Sequence, residues 1–579
     1  MAVLGKLTLG AALLVLASPP DPLSTAGWRL ASPPGPLSTA AWRGGTRRAD
    51  SLERARALHV LNRLTYGPRP GDVDGVLAMG VDRFIEQQLH PETINDDALR
   101  PWLQRYEVLH MSPQELANVF LQEQLQRRAR QAGAGQLVPP LRHAAVRGRR
   151  MSRARRLAGE LQQAAVVRAA LSQRQLDEVM VDFWTNHFNV FLGKGADRFL
   201  LPDFIEHTIR PHAMGTFGDL LIATAESPAM LFYLDNAESV ASGSTPPQLA
   251  QLNQRLERAR MGGRPRFGRR ADPARMDSLR RRIEQRLPKG INENYGRELM
   301  ELHTLGVNGG YTQQDVINVA RILTGWSITP PRQGGGFVFR AWAHDRGAKV
   351  VLGHEFPAGH EMDEGIALLK LLAMHPATRR HVSSELCAKF VADDPPEGCV
   401  DAAVAAWQHT GGDMREVLGA IFRSPEFWAS ENANNKFKTP LEFVVSAVRA
   451  VGATPDSTLA LAQIVGRLGE PLYLDQPPTG YPESQASWVN SGALLQRFNV
   501  AMGLAAGRAP GVTVNVEGLI PEGTDPGGLA EAVDRAILHG AASANTLRVI
   551  REETADLGPR QARVTAVGLA LGSPEFQRQ

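Results

Sequence analysis

Three segments of this chain interrupt an apolar run with the same corner: "LLIATAESPAMLFYL", "VLGAIFRSPEFWAS" and "AVGLALGSPEFQRQ". Ser offers a capping oxygen, Pro fits the first helical turn, and the Glu or Ala that comes next suits a helix N-terminus. A helix–corner–helix unit used three times requires an array of packed helices, although the copies are too irregularly spaced for a short-period repeat. Strand signal is thin. Its best instance is "GGFVFRAWAHDRGAKVVLG", two alternating runs around "HDRG", which predicts one hairpin. Aromatic residues are only 6% of the chain, and Ala and Leu are abundant, so propensity agrees. The expected fold is mainly α: a large multi-helix body with one small β-hairpin and two basic, flexible insertions.

The N-terminus carries a secretory pattern. Lys6 gives a positive start, "LTLGAALLVLA" an apolar stretch too short to cross a bilayer, and "SPP" ends it. Cleavage near Ala17 is expected, with an uncleaved anchor as the alternative. The duplicated "SPPDPLSTAGWRLA" and "SPPGPLSTAAWRGG" come next and read as an extended tether over 18–48. The folded domain is then 49–579, and the protein is expected to be exported, to the periplasm, cell surface or medium. Cys387 and Cys399 are its two cysteines. In an exported protein they can form one disulfide across the "DDPPEG" turn; two buried thiols are the alternative. Two cysteines are too few for a zinc site of their own.

Charge is unevenly placed. Residues 127–156 carry +10 and residues 255–289 carry +9, which against a net +4 leaves the remainder at −15. The two stretches fall in the insertions expected at about 127–156 and 240–290. Neither interleaves aromatic residues as a single-strand binder would, so solvated insertions are the better reading and nucleic acid is not the expected partner. The chain contains no G-x-S-x-G, no G-x-x-x-x-G-K-[ST] and no G-x-G-x-x-G, which leaves the usual serine-hydrolase elbow, P-loop and Rossmann classes unsupported.

Polar residues gather at helical spacing in two places. In "LDEVMVDFWTNHFNV", His187 lies beside an aromatic face that includes Phe183, Trp184 and Phe188. Glu178, Asp182 and Asn186 fall on the neighbouring face. In "INENYGRELMELHTLGVNGGYTQQDV", Asn294, Glu298 and Glu301 occupy one stripe, Arg297 flanks it and His303 lies near the helix end. Two carboxylates one turn apart can share a cation, or one can hold a proton and serve as an acid. A buried salt-bridge network is the structural alternative. Thr312 and Asp315 have capping-box spacing, and Gly325 ends the helix that carries Arg321. His344 and Asp345, adjacent on the expected hairpin turn, suit metal or proton work. They also suit a turn. No H-E-x-x-H occurs, so no standard zinc protease is encoded.

The ordered motifs "LNRLTYGPRPGDV", "FWTNHFNV", "NENYGRELMELHTLGVNGGYTQQDVINVARILTGW", "HDRGAKVVLG", "KFVADDPP", "FKTPLEFVVSAVRA" and "GEPLYLDQPPTGYPE" resemble the bacterial family known as domain of unknown function 1800. The resemblance covers roughly Ala57 to the C-terminus. It implies an exported bacterial protein, often encoded beside a second exported protein, and it carries no activity with it. Its motifs fall on Trp184, Asn186, His187, Asn292, Asn294, Tyr295, Arg297, Glu298, Glu301, His303, Thr324, Trp326, His344 and Asp345.

Two functional readings fit these residues. In one, a hydrolase or transferase uses His187, Glu298, Glu301, Arg297 and His303 as catalytic groups in an inter-helix cleft. Trp184, Asn186, Asn294, Tyr295 and Trp326 would then bind substrate, and His344 and Asp345 could hold a divalent metal. In the other, a non-catalytic envelope protein binds a partner or a cell-surface polymer, and the same residues form a structural network.

Overall fold

The computed structural model describes residues 39–131, 152–261, 273–284, 290–330, 334–521 and 523–579. The expected signal at 1–17 lies outside them. So do residues 18–38 of the expected tether, the centre of the 127–156 stretch and parts of the 255–289 stretch; residues 39–48, also expected to be extended, belong instead to the helix Thr39–Leu64. The chain divides into two compact units, Met1–Leu52 and Glu53–Gln579. The elements that build the core and the site belong to the second.

The architecture is mainly α, with three short two-stranded sheets among the described residues. The helix Pro440–Ala450 runs through the middle of the core with every residue buried. Thr439 and Glu442 close its N-terminus as a capping box, the Thr side chain accepting from the third N–H and the Glu side chain accepting from the cap N–H. The helix Gln175–His187 buries Leu176, Val179, Met180, Phe183 and Trp184. Its remaining face carries the polar groups that become the site. Thr312 and Asp315 form the capping box expected for the helix Gln313–Ile322.

The Ser-Pro corners do what their composition demands, in two versions. Pro228 opens the helix Pro228–Tyr233. At the other two corners the chain makes only a turn, and the Ser oxygen accepts from the N–H three residues on: Phe427 N to Ser424 Oγ and Phe576 N to Ser573 Oγ, both 3.2 Å. The last of these corners returns the C-terminus to the core. Lys438 N donates to Gln577 O at 2.9 Å, and Gln579 N donates to Lys436 O at 2.9 Å.

The single hairpin expected around "HDRG" is not what forms. β1 (Trp326–Ile328) pairs with β2 (Phe337–Phe339), and β3 (Lys349–Val351) pairs with β4 (His354–Phe356), both antiparallel. The two alternating runs therefore belong to different sheets. The reason is local. His344 Nδ1 lies 2.8 Å from Thr324 O, Asp345 N donates to Thr324 Oγ1 at 2.8 Å, and Arg321 grips Asp345. These bonds draw the expected turn back against the Gln313–Ile322 helix. The real turn is Leu352-Gly353, with φ of 50° and 78°. Two successive positive φ values are what a two-residue hairpin loop requires.

Cys387 and Cys399 are joined by a disulfide, which ties the helix Pro376–Phe390 to Glu397–Thr410 across a sequence separation of 12. Closing a loop of that size is worth about 3 kcal/mol. A Cys387→Ser, Cys399→Ser variant should therefore unfold at lower urea than the oxidised protein and show no further loss on adding a reductant. A variant that unfolds at the wild-type urea concentration would contradict this.

Candidate functional site

The polar face of the helix Gln175–His187 looks onto the segment Gly469–Glu483. Gly480 makes the approach possible. It sits at φ 65°, and a Cβ there would lie 2.5 Å from Asn186 O. With no side chain in the way, Asn186 clamps the backbone of Tyr481 at both ends: Nδ2 donates to Tyr481 O at 2.8 Å, and Oδ1 accepts from Tyr481 N at 2.7 Å. Asn189 Nδ2 donates to Asp475 O at 3.2 Å and to Pro477 O at 2.6 Å. Tyr473 is held at φ 62°, a left-handed position that costs a bulky residue energy. The clamped loop and the helix end enclose a cavity of about 30 Å³. That is room for a water or a small substituent. Asp182, Lys389, Glu470, Tyr473, Tyr481 and Glu483 supply its chemistry.

Lys389 is the hub of this cavity. Its Nζ donates to Glu442 Oε1 at 2.9 Å and to both oxygens of Glu483 at 3.2 Å. Burial opposes its charge, but Glu442, Glu483 and Asp182 outweigh burial and hold the ammonium well above its ordinary range. Burial likewise opposes the Glu442 charge, and Lys389 outweighs it, so Glu442 stays below the usual carboxylate range. The other two carboxyls go the opposite way. Burial raises Asp182 to about 7; Lys389 pulls it down, and Glu483 and Glu442 push it up. Burial and then Asp182 raise Glu470 to about 8. Glu470 accepts from Leu441 N at 2.8 Å, whereas no donor among the described residues hydrogen-bonds Asp182. A carboxyl that holds its proton near neutrality therefore stands beside an ammonium and a carboxylate at the cavity edge.

The site residues expected from the sequence fall into three other groups. The first contains His187, whose side chain is 3% exposed. Its Nδ1 lies 2.8 Å from Glu385 Oε2 and its Nε2 lies 3.3 Å from His303 O. Both ring nitrogens thus face oxygens. His303 is sealed beneath it, and burial, with His187 adding to it, lowers His303 to about 3. Trp184 is fully buried and donates from Nε1 to Ala213 O at 3.0 Å. It packs against Phe183, Phe188 and Phe217 and has no open face for a substrate. Tyr295 is also buried in the core.

In the second group, Asn294 is exposed and Glu298, Glu301 and Arg297 are partly buried. Burial, and then Glu301, raises Glu298 above the carboxylate range. Arg297 turns away to Gln313, donating to Oε1 at 3.0 Å, and Glu293 lies 3.5 Å from it. In the third group, Arg321 binds Asp345 in a fork at 2.8 and 3.2 Å. His344 Nε2 lies 3.0 Å from Glu364 Oε1, and both side chains are sealed. Trp326 is fully buried on β1 against Phe337. His344 and Asp345 hydrogen-bond to Thr324 and Arg321, and His344 also abuts Glu364, so neither joins the His187 group. Among the described residues there is no group of three or more His, Cys, Asp or Glu arranged to hold a metal ion.

Of the residues expected from sequence to act in catalysis, substrate binding or metal ligation, the cavity takes Asn186 alone. Sequence reasoning misses Asp182, Lys389, Glu470, Tyr473, Tyr481 and Glu483 as site residues. A signal for them exists. Asp182 shares the helix stripe with Glu178 and Asn186. Lys389, Glu470, Tyr473, Tyr481 and Glu483 all stand inside the motifs "KFVADDPP" and "GEPLYLDQPPTGYPE".

No curated protein matches this chain, and no solved structure matches it. A family model described as "Protein of unknown function (DUF1800)" matches residues 59–578, nearly the whole chain, and it covers both the cavity and the three other polar groups. The chain belongs to that family of unknown function.

Proposed function

We propose that this protein is an exported hydrolase or transferase that works by general acid–base catalysis in the Asp182–Lys389–Glu483 cavity. One observation carries the reading: helix Gln175–His187, Lys389 and the loop Gly469–Glu483, which are far apart in sequence, place three carboxyls and an ammonium around one water-sized space. Asp182, with no hydrogen bond from the described residues, is the proton donor. Glu483, 26% exposed and held by Lys389, is the group placed to polarise an attacking water. Tyr473 offers a hydroxyl and a ring face to a polar substrate, while the Tyr481 hydroxyl donates to Pro471 O at 3.0 Å and leaves its ring as wall. The Cys387–Cys399 disulfide supports export, because such bonds persist in oxidising compartments. No helix among the described residues is long and apolar enough to cross a membrane.

The competing reading is a non-catalytic envelope protein that binds a partner protein or a cell-surface polymer. The enclosure of His187 against Glu385 and of His344 against Glu364 favours it, since groups so enclosed act on structure rather than on a ligand. A panel of chromogenic glycosides, peptidyl amides and phosphomonoesters separates the two. Catalysis at the cavity requires turnover of at least one by the wild type. That turnover should fall about 10²–10⁴-fold in Asp182→Asn, with the unfolding midpoint retained. No turnover of any member, or equal turnover by the variant, would leave the binding reading standing.

A further inference from the structure

A second set of reactive side chains lies outside this cavity, where the helix Pro440–Ala450 meets the C-terminal segment. Lys438 Nζ lies 2.9 Å from Ser446 Oγ and donates to Phe576 O at 2.7 Å. Lys438 is 3% exposed and Ser446 2% exposed. Both nevertheless line a cavity of about 30 Å³, together with Asn62, Asn434, His539 and Glu575. No carboxylate among the described residues hydrogen-bonds the lysine. Burial lowers its ammonium to about 7; Glu442 opposes the shift and Arg497 adds to it. Gly67, at φ 90°, brings backbone so close that a Cβ there would lie 2.8 Å from Ser446 Oγ. His539 holds φ 57° on the cavity wall. A left-handed residue other than glycine stores strain, and such residues collect at functional sites.

We propose that Ser446 and Lys438 form a nucleophilic pair that accepts the acyl group of a small ester. With the amine neutral, the Ser446 hydroxyl donates to Nζ, and the amine keeps its own N–H bond to Phe576 O. Attack forms the bond from Ser446 Oγ to the ester carbonyl carbon as the hydroxyl proton passes to Lys438 Nζ. Collapse breaks the bond from that carbon to the alcohol oxygen, which leaves with the proton from Nζ. Water then attacks the acyl-Ser446 ester by the same route, releasing the carboxylic acid and restoring the hydroxyl. The side-chain amides of Asn62 and Asn434 have no protein partner among the described residues and are the donors available to the oxyanion. The size of the cavity limits the acyl group to about that of formyl or acetyl.

The test is acetylation of the full chain by p-nitrophenyl acetate, read by peptide mass spectrometry. The expected result is an acetyl group on Ser446 whose rate of appearance rises with pH about a midpoint near 7. Besides Lys438, the ionisable groups facing the cavity are His539, Glu575 and Arg578, with Glu442 and Arg497 acting through the lysine. Lys438→Met should slow the labelling by about 10²-fold or more. Ser446→Ala should lose it while melting as the wild type does. Wild type unlabelled at Ser446, or labelled at a rate flat in pH, overturns the proposal. So does labelling of Lys438→Met at the wild-type rate. If Lys438→Met does not fold, the wild-type profile and Ser446→Ala still decide. Because Asp182→Asn should leave this acetylation intact, its failure and the failure of the first cavity are distinguishable.

Discussion

Lys389→Met is expected to destabilise the fold by about 3–5 kcal/mol, the scale for removing one partner of a buried ion cluster. The lysine is 5% exposed, and Glu442, its closest partner, is 8% exposed. Methionine would fill the volume but leave Glu442 and Glu483 facing each other and Asp182 without the ammonium. The penalty comes from those stranded carboxylates rather than from the lost attraction. Adding Glu442→Gln to Lys389→Met should therefore recover part of the loss. Glu442→Gln alone should be costly, because the amide weakens both the Lys389 bond and the capping box at Thr439. Urea unfolding of the two single variants and the double variant measures the coupling. A strictly additive result would mean that the cluster is not one unit.

Trp184→Ala should cost a similar amount, about 3–5 kcal/mol, as for other fully buried large aromatics. The indole is fully buried, its Nε1–H satisfies Ala213 O, and its ring meets the rings of Phe183, His187, Phe188 and Phe217. The substitution opens a void in the wall that holds His187 against Glu385. Were Trp184 a substrate-binding residue, its loss would lower substrate affinity and leave stability intact. As a packing residue, its loss should lower the unfolding midpoint and leave the pocket at Asp182 able to bind. Thermal and urea unfolding of Trp184→Ala, set beside the effect of Asp182→Asn, distinguishes these roles.

Helical spacing is enough to read the mainly α body, the Thr312–Asp315 cap and the aromatic face at Trp184, because each is decided within a few residues. The hairpin misleads for an equally physical reason. Alternation in "GGFVFRAWAHDRGAKVVLG" reports strands but not their partners, and Arg321 and Thr324, upstream of both runs, decide what His344 and Asp345 do. The site is legible only in part. The stripe of Glu178, Asp182 and Asn186 is visible in the sequence. That Asp182 rather than His187 faces the cavity depends on Lys389, Glu470 and Glu483, which arrive from distant segments. Residue types also mislead. Histidine looks like chemistry wherever it occurs, but His187 and His344 are enclosed by their own partners. The loop Gly469–Glu483, rich in Pro and Gly, looks like a connector until Gly480 lets it close on Asn186.

Catalysis at the Lys389 cavity depends on carboxyls that keep a proton near neutral pH. Asp182 and Glu470, ordinarily near 4 when unfolded, stand at about 7 and 8 in the fold. Between those values the folded chain binds protons that the unfolded chain has released. Their contribution to stability is therefore complete below about pH 4 and is lost as pH rises through 7 and 8. The most direct measurement is a carboxyl-carbon NMR titration of the intact protein, with Asp182→Asn and Glu470→Gln used to assign the signals. Two carboxyl resonances with midpoints near 7 and 8 are expected, each missing from its own variant. Both carboxyls titrating near 4, as in an unfolded chain, would contradict that expectation and remove the basis for acid–base chemistry at this cavity.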